Sequence, residues 1–515
     1  MEKIKKTINK ATIWVKKNPK ETVLLVMILI VGAFLRLYRI DEYMTFLGDE
    51  GRDVIVVGRF LTEADLMLVG PGTSIGNMYL GPLYYYMMAP ALYLAGYSPA
   101  GPAIQIALLG IATIFFVWFV GREWFGKKAA FIAAFLYAIA PTVIIYSRSS
   151  WNPNIMPFFS LLCIYGLWKI WQKYEWKWLM ITAVSFAFTL QSHYLGLILI
   201  PILGTFWLLA FLKSRKTKKT KSFMRYTLYA AILFALLMSP LVIFDARHGW
   251  RNFSSMNKFF TERQTTVSAR PWTGLPKVVP IIQEINTRLL AGHDEEMGKW
   301  LTVGIFAATF WLFAVRWKEI KKRERQALIL IGTWLAFSVI GLSIYKQHIY
   351  DHYYGFFFPA PFLLVGVIAS QLSDKYKTLG RLVVVVVLGC LVFANLKNSP
   401  LRYSPNRQMQ RSEEVSERII EEASNEKFNL AVIAERNYEG AYQYFLEKEN
   451  APIIMIDPQR AEETITELLF VVCELPEEKC NPVNNPKAEI ANFGWSKIDE
   501  QWVVAGTTLY KLVPA

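Results

Sequence analysis

Charge is what this sequence has least of. Asp, Glu, Lys and Arg make up 19% of its 515 residues, while hydrophobic residues reach 54% and mean hydropathy is +0.27. An average soluble domain carries about 25% charge, so a soluble fold of this size would need more polar surface than the chain offers. The same numbers exclude a disordered chain. Four cysteines exclude a disulfide-rich scaffold. No GxxxxGK[ST], GxGxxG, HExxH or CxxC is present, so nucleotide-driven transport and zinc proteolysis lack support. Internal repeats are also missing, which weakens an inverted-repeat transporter.

Apolar runs are what the sequence does have. Segments long enough to cross a bilayer fall at 22–39, 101–120, 129–146, 155–172, 178–195, 197–212, 226–244, 299–315, 327–345, 355–371 and 382–397. The net charge of +15 is unevenly placed: residues 399–515 carry −8, so the residues before them carry +23. That positive charge sits in short clusters between apolar runs, a positive-inside signature rather than a nucleic-acid patch. Seven lysines precede the first run, seven basic residues fill 213–225, and six fall in 316–325. All share the cytoplasmic side if a twelfth apolar stretch, Tyr79–Gly96, does not cross. It is therefore read as a re-entrant or juxtamembrane element. The expected fold is an all-α polytopic membrane protein of about eleven transmembrane helices (residues 1–398), N-terminus cytoplasmic, followed by a small extracytoplasmic α/β domain (residues 399–515). In the domain, Asn429–Ala434, Ile453–Ile456, Leu468–Cys473 and Trp502–Thr508 read as strands. Cys473 and Cys480 suit a disulfide or two free thiols equally; Cys163 and Cys390 read as thiols packed within spans.

Four segments on the outer side hold polar residues that packing does not require. The first is Gly48-Asp49-Glu50-Gly51-Arg52-Asp53, followed by an amphipathic run to Leu61. Such a cluster can be solvated loop, but between a span and an amphipathic helix a carboxylate is partly desolvated and suited to general-base work. The second is Ser147-Arg148-Ser149-Ser150-Trp151-Asn152-Pro153-Asn154, where Arg148 either snorkels to headgroups or binds an anion. The third surrounds His193, at the end of the fifth span. The fourth, Tyr345–Tyr353, includes Lys346, His348 and His352. No metal-ligand spacing is diagnostic in any of them.

These residues resemble the GT-C membrane glycosyltransferases, especially the protein O-mannosyltransferases (glycosyltransferase family 39) and the lipid A aminoarabinose transferases. The resemblance covers roughly the first 370 residues. It implies an inverting transfer of a sugar from a polyprenyl-phosphate donor to a protein, lipid or glycan acceptor, outside the cytoplasm and without a required cofactor. The family's Asp-Glu-x-Arg motif matches Asp49-Glu50-Gly51-Arg52, which makes Asp49 the expected catalytic carboxylate with Glu50 beside it. Pro82-Leu83-Tyr84 matches the Pro-Leu-Tyr element, and Arg148 matches the mannosyltransferases' Ser-Arg. Two departures stand out. Tyr79 and Leu80 occupy positions where aminoarabinose transferases carry a lysine. Asn152 and Asn154 stand where an acidic residue often follows, which puts metal dependence in doubt. Fixed cations should stabilise the departing phosphate, so Arg52, Arg148 and Lys346 are the expected phosphate ligands. Tyr84, Asn152, His193, Tyr345, His348, His352 and Tyr353 are expected to contact substrate. A transporter or lipid flippase is the competing reading, and an outer-face binding protein a third.

Overall fold

In a computed structural model, residue 9, residues 12–73, residues 78–262, residue 267 and residues 270–515 are described; four of the seven N-terminal lysines lie outside them. Every one of the eleven apolar segments is helical: α1 (Pro19–Leu37), then, after two helices outside the runs, α4 (Ala100–Phe125), α5 (Lys127–Ile139), α6 (Met156–Lys173), α7 (Trp178–Ser192), α8 (Leu199–Lys216), α9 (Thr220–Arg247), α12 (Glu295–Trp311), α13 (Lys322–Ser343), α14 (Pro359–Lys375) and α15 (Lys377–Lys397). The two early helices are α2 (Gly48–Glu63) and α3 (Leu83–Leu94); α10 (Arg251–Thr261) and α11 (Val278–Leu289) sit in the loop before α12. Among the described residues, seven helices are long and apolar enough to span, three of them (α6, α8 and α12) counted with the helical turn that adjoins them. An eighth forms if Asp351–Phe357 and α14, bent by 63°, count as one span. The expected eleven thus overcounts what length and composition alone support. Helix α1 contains Lys20, Glu21 and Arg36, α7 has 15 residues, and α5 stops before Pro141. Ala140 adopts an extended conformation there, the one a following proline favours, and a short helix, Pro141–Ile145, continues the run.

Stretch 79–96 does not fold as a span. Its helix α3 has 12 residues with Pro90 inside, a rise of about 18 Å against a hydrocarbon core of about 30 Å.

Trp124, Trp168 and Trp334 fill the centre of the bundle with Tyr137 and Phe356–Phe358. Small residues let the backbones close around them. Ala129, Ala130, Ala133 and Ala134 line one side of α5, and a Cβ placed on Gly366 of α14 would meet Ala129 O at 2.5 Å. The outer sides of α1 and α15 expose Val23, Met27, Ile30, Leu382, Val385 and Val386. Cys390 is exposed on that same surface of α15 rather than packed as expected, while Cys163 is buried.

The basic turns collect at the end of the bundle where α1 begins. Arg122 and Lys127 pair with Glu21, Lys128 with Asp374 at 2.6 Å, and Lys375 with Glu319 at 2.9 Å. Arg316 reaches Gln371 at 2.9 Å. Asp49 follows the other end of α1.

Beyond α15 the chain builds a four-stranded sheet of order β1-β2-β4-β3, from β1 (Asn429–Ile433), β2 (Leu469–Cys473), β3 (Ser496–Val504) and β4 (Thr507–Pro514). β1 and β2 are parallel; the other pairings are antiparallel. Helices α16 (Gln408–Ala423) and α17 (Gly440–Lys448) cover the face that carries Leu430, Val432 and Phe470, while α18 (Ala488–Phe493) covers Ala431, Leu469 and Val471. Both faces of the parallel pair are buried, which explains its unbroken apolar runs. Two expected strands differ. Ile453–Ile456 makes only a bridge from Phe428 to Ile453. Trp502–Thr508 is a hairpin, turning at Ala505 and Gly506 with φ of 48° and 79°. Cys473 and Cys480 form a disulfide.

Candidate active site

The acidic cluster begins where α1 ends. After Leu37 the chain turns through Arg39, whose φ is 46°, and enters α2 at Gly48. Glu50 folds back to accept the Leu47 N–H at 3.0 Å, satisfying an amide that the first turn leaves open. Asp49 sits in that same turn, where the helix dipole favours a carboxylate.

Arg52 lies between two carboxylates. Its Nη1 donates to Asp49 Oδ1 at 2.8 Å, and its Nη2 and Nε donate to Asp53 Oδ1 at 2.7 and 3.1 Å. The Tyr85 hydroxyl donates to the same Asp53 oxygen at 2.9 Å. Asp53 is fully buried and its Oδ2 has no partner among the described residues. Burial raises Asp53 to about 6 despite Arg52, and raises Glu50 to about 7 despite its hydrogen bond to Leu47. Asp49 contrasts with both: its side chain is 41% exposed. One buried carboxylate thus anchors the arginine, and one accessible carboxylate faces out beside it.

Arg148 is engaged inside the fold. It is buried, and its Nη1 and Nη2 each donate at 2.7 Å to a backbone carbonyl, Leu35 O and Tyr38 O. Those carbonyls belong to the end of α1, where a helix leaves acceptors unpaired and a cation is favoured. The guanidinium also lies over the Tyr43 ring, 5.0 Å from its centroid. Two of its nitrogens are thus held by the main chain as a cap for α1, while its Nε has no partner among the described residues.

Two expected substrate contacts make hydrogen bonds within the protein. Tyr84 is buried with its hydroxyl 2.6 Å from Ser150 Oγ, and Asn152 donates to Ser192 O at 2.6 Å. The turn at 147–154 is therefore a keystone. It holds Thr45 through Ser149 Oγ, and its Trp151 packs 4.5 Å from the His352 ring.

His193, Tyr345 and Tyr353 do come together, lining a cavity of about 360 Å³ with Leu197, Ile198 and Phe337. The His193 ring lies 5.0 Å from Tyr353 and 5.9 Å from His352. Its Nδ1 accepts the Leu195 N–H at 3.1 Å, which fixes the neutral tautomer with the proton on Nε2. Lys346 and His348 lie exposed on the adjoining loop, His348 packing against Tyr350. Among the described residues no three His, Cys, Asp or Glu side chains converge as metal ligands.

Sequence reasoning passed over three residues. Asp53 and Tyr85 had a signal: Asp53 lies four residues after Asp49 on an amphipathic helix, and Tyr85 adjoins Tyr84. Tyr438 had none. It stands 389 residues away, yet donates its hydroxyl to Asp49 Oδ1 at 2.6 Å.

The sequence profile of a family described as dolichyl-phosphate-mannose-protein mannosyltransferase matches residues 80–244, a stretch that takes in Tyr84, Arg148, Asn152 and His193 but not Asp49. YkcB of Bacillus subtilis (strain 168), which carries the provisional name of a mannosyltransferase, is 23% identical over 245 residues. That match takes in 44% of this chain and 31% of the relative, so the chain aligns with about a third of the protein it resembles. Among solved structures, ArnT from Cupriavidus metallidurans in the apo state superposes with a TM-score of 0.59 at 14% identity, covering 98% of both chains. Its complex with undecaprenyl phosphate gives 0.58, covering 95% of this chain and 97% of that one. The archaeal oligosaccharyltransferase AglB from Archaeoglobus fulgidus, in complex with an inhibitory peptide and a dolichol-phosphate, gives 0.56 at 14% identity, covering 89% and 70%. The chain is a multi-pass membrane protein with the fold of the GT-C superfamily glycosyltransferases, and it resembles them in sequence.

Proposed function

We propose that this protein is an inverting glycosyltransferase that moves a sugar from a polyprenyl-phosphate donor to a hydroxyl or phosphate acceptor on the outer face of the membrane. The observation that carries this reading is the pair of unlike carboxylates on α2: Asp53 buried on Arg52, Asp49 open beside it. A hydroxyl acceptor is a weak nucleophile. Asp49 takes its proton as the acceptor oxygen bonds to the sugar C1, and the C1–O bond to phosphate breaks with its electron pair leaving on the lipid phosphate. Arg52 is the cation nearest that carboxylate, and its planar fork suits phosphate oxygens. The apolar cavity between α8 and α13, with His193, Tyr345 and Tyr353 at its polar side, offers a place for the isoprenoid chain and the sugar. Lys346 and His348 stand on the loop beside it as further donor contacts. The activated phosphate linkage supplies the driving force.

The test is donor consumption by the full chain in proteoliposomes. Undecaprenyl phosphates carrying labelled mannose, glucose, galactose or N-acetylglucosamine are supplied with cell-envelope extract as acceptor. Release of undecaprenyl phosphate, with label moving to the extract, is expected for at least one sugar. Donors that bind without being consumed would contradict the reading and favour a lipid transporter.

A further inference from the structure

We propose that Tyr438, supplied by the C-terminal domain, is a positioning residue for the Asp49 carboxylate. The assignment rests on the transferase reading above. Tyr438 lies in the loop after β1, at the carboxyl end of the parallel strand pair, where open α/β sheets present their ligand-contacting groups. Its hydroxyl donates to Asp49 Oδ1 at 2.6 Å and accepts from Arg52 Nη1 at 3.1 Å. Burial and the nearby carboxylates keep that hydroxyl protonated, and so a donor.

The loop is braced from both sides. Asn437 accepts the Gly48 N–H at 2.8 Å through Oδ1, and its Nδ2 donates to Glu474 Oε1 at 2.6 Å. Glu474 follows Cys473 at the end of β2 and also accepts the Tyr442 hydroxyl at 2.7 Å. On the membrane side the Tyr438 ring rests on Gly48, where a Cβ would lie 2.5 Å from the ring carbons. Glycine at position 48 is the residue that admits the ring.

The consequence is a division of labour between the two oxygens of Asp49. Arg52 and Tyr438 both hold Oδ1, from different domains, so the plane of the carboxylate is fixed. Oδ2 is left to receive the acceptor proton. Tyr438 touches neither donor nor acceptor in this scheme; it acts through Asp49. Through this loop the C-terminal domain contributes hydrogen bonds to the Asp49 cluster.

Two conservative variants separate positioning from mere docking. Tyr444 also crosses the boundary, donating its hydroxyl to Tyr97 O, but it does not reach Asp49. Tyr438→Phe and Tyr444→Phe are compared with wild type in the undecaprenyl-phosphate-sugar assay, and Asp49 labelling by dicyclohexylcarbodiimide is mapped by peptide mass spectrometry at one fixed pH. A hydrogen bond to a charged group supports an expected fall in kcat of about 10-fold or more for Tyr438→Phe, with KM for the donor unchanged. Asp49 labelling should accelerate, because the reagent attacks the protonated carboxyl and loss of a donor favours that form. Tyr444→Phe should match wild type in both readouts. An active wild type with Tyr438→Phe unchanged in kcat and labelling overturns the Tyr438 assignment alone, and so does an equal kcat loss in both variants. A wild type that consumes none of the donors overturns the transferase reading and, with it, any positioning role in catalysis.

Discussion

Burial sets the chemistry of the residues on α2. It raises Glu50 to about 7 and Asp53 to about 6, against about 4 for free carboxyls. The folded chain therefore holds more protons than the unfolded chain between these values. The cost of burying the ionised groups is felt in full above about pH 7 and is relieved as pH falls, so their contribution to stability decreases on going from about pH 5 to 7.5. Activity should run the other way. Asp53 must be ionised to hold Arg52, so transfer is expected to fall below about pH 6, and Asp53→Asn should lower the rate and flatten that acid limb. Rate–pH profiles with thermal unfolding at each pH check both statements; a native profile flat down to about pH 5 contradicts them. Arg148 makes a different kind of prediction. Arg148→Ala leaves the Leu35 and Tyr38 carbonyls unpaired and should cost about 1–3 kcal/mol of stability, with donor KM within about twofold of wild type. A large rise in KM with unfolding unchanged would return Arg148 to the phosphate.

Contact between elements is where the sequence is least legible. Apolar run length is a local property, and all eleven runs are helices. The bend before α14 and the break at Pro141 show only as prolines. The motif Asp49-Glu50-Gly51-Arg52 is local too, so its carboxylates and arginine could be picked out directly. Arg148 could not be read in the same way, because its partners lie 113 and 110 residues away, and only packing decides whether a guanidinium meets a carbonyl or a phosphate. The seam between α2 and α17 is equally hidden. A Cβ on Gly440 would lie 2.3 Å from Gly48 O, and one on Gly51 would lie 2.2 Å from Gly440 O. Nothing near either glycine in sequence announces that two helices meet there. Gly440→Ala should lift α17 from α2, separate Tyr438 from Asp49 and lower transfer by about 10-fold, while the membrane helices stay intact. Faster protease cleavage within 398–407, with unchanged helical content, is the expected signature; native cleavage and native transfer would show that the seam tolerates the methyl group.

On the scale of the whole molecule, the charge asymmetry of the sequence becomes a structural polarity. The ion-paired basic turns gather at one end of α1 and the acidic cluster with the C-terminal domain at the other, and the positive-inside tendency predicts that residues 213–225 and 316–325 face the cytoplasm. Lys218→Cys should resist a membrane-impermeant maleimide in intact cells, and Lys497→Cys should react; the reverse pattern would invert the protein. The account as a whole turns on Asp49. The most direct measurement is the single-turnover rate of sugar transfer from an undecaprenyl-phosphate donor by Asp49→Asn and Glu50→Gln, both shown to be folded. Asn keeps the shape of Asp49 and cannot accept the proton, so a loss of about 10²–10⁴-fold is expected, with donor binding retained. Glu50→Gln keeps an oxygen for the Leu47 N–H and should be much milder. A folded Asp49→Asn protein that transfers sugar at the native rate would contradict the account.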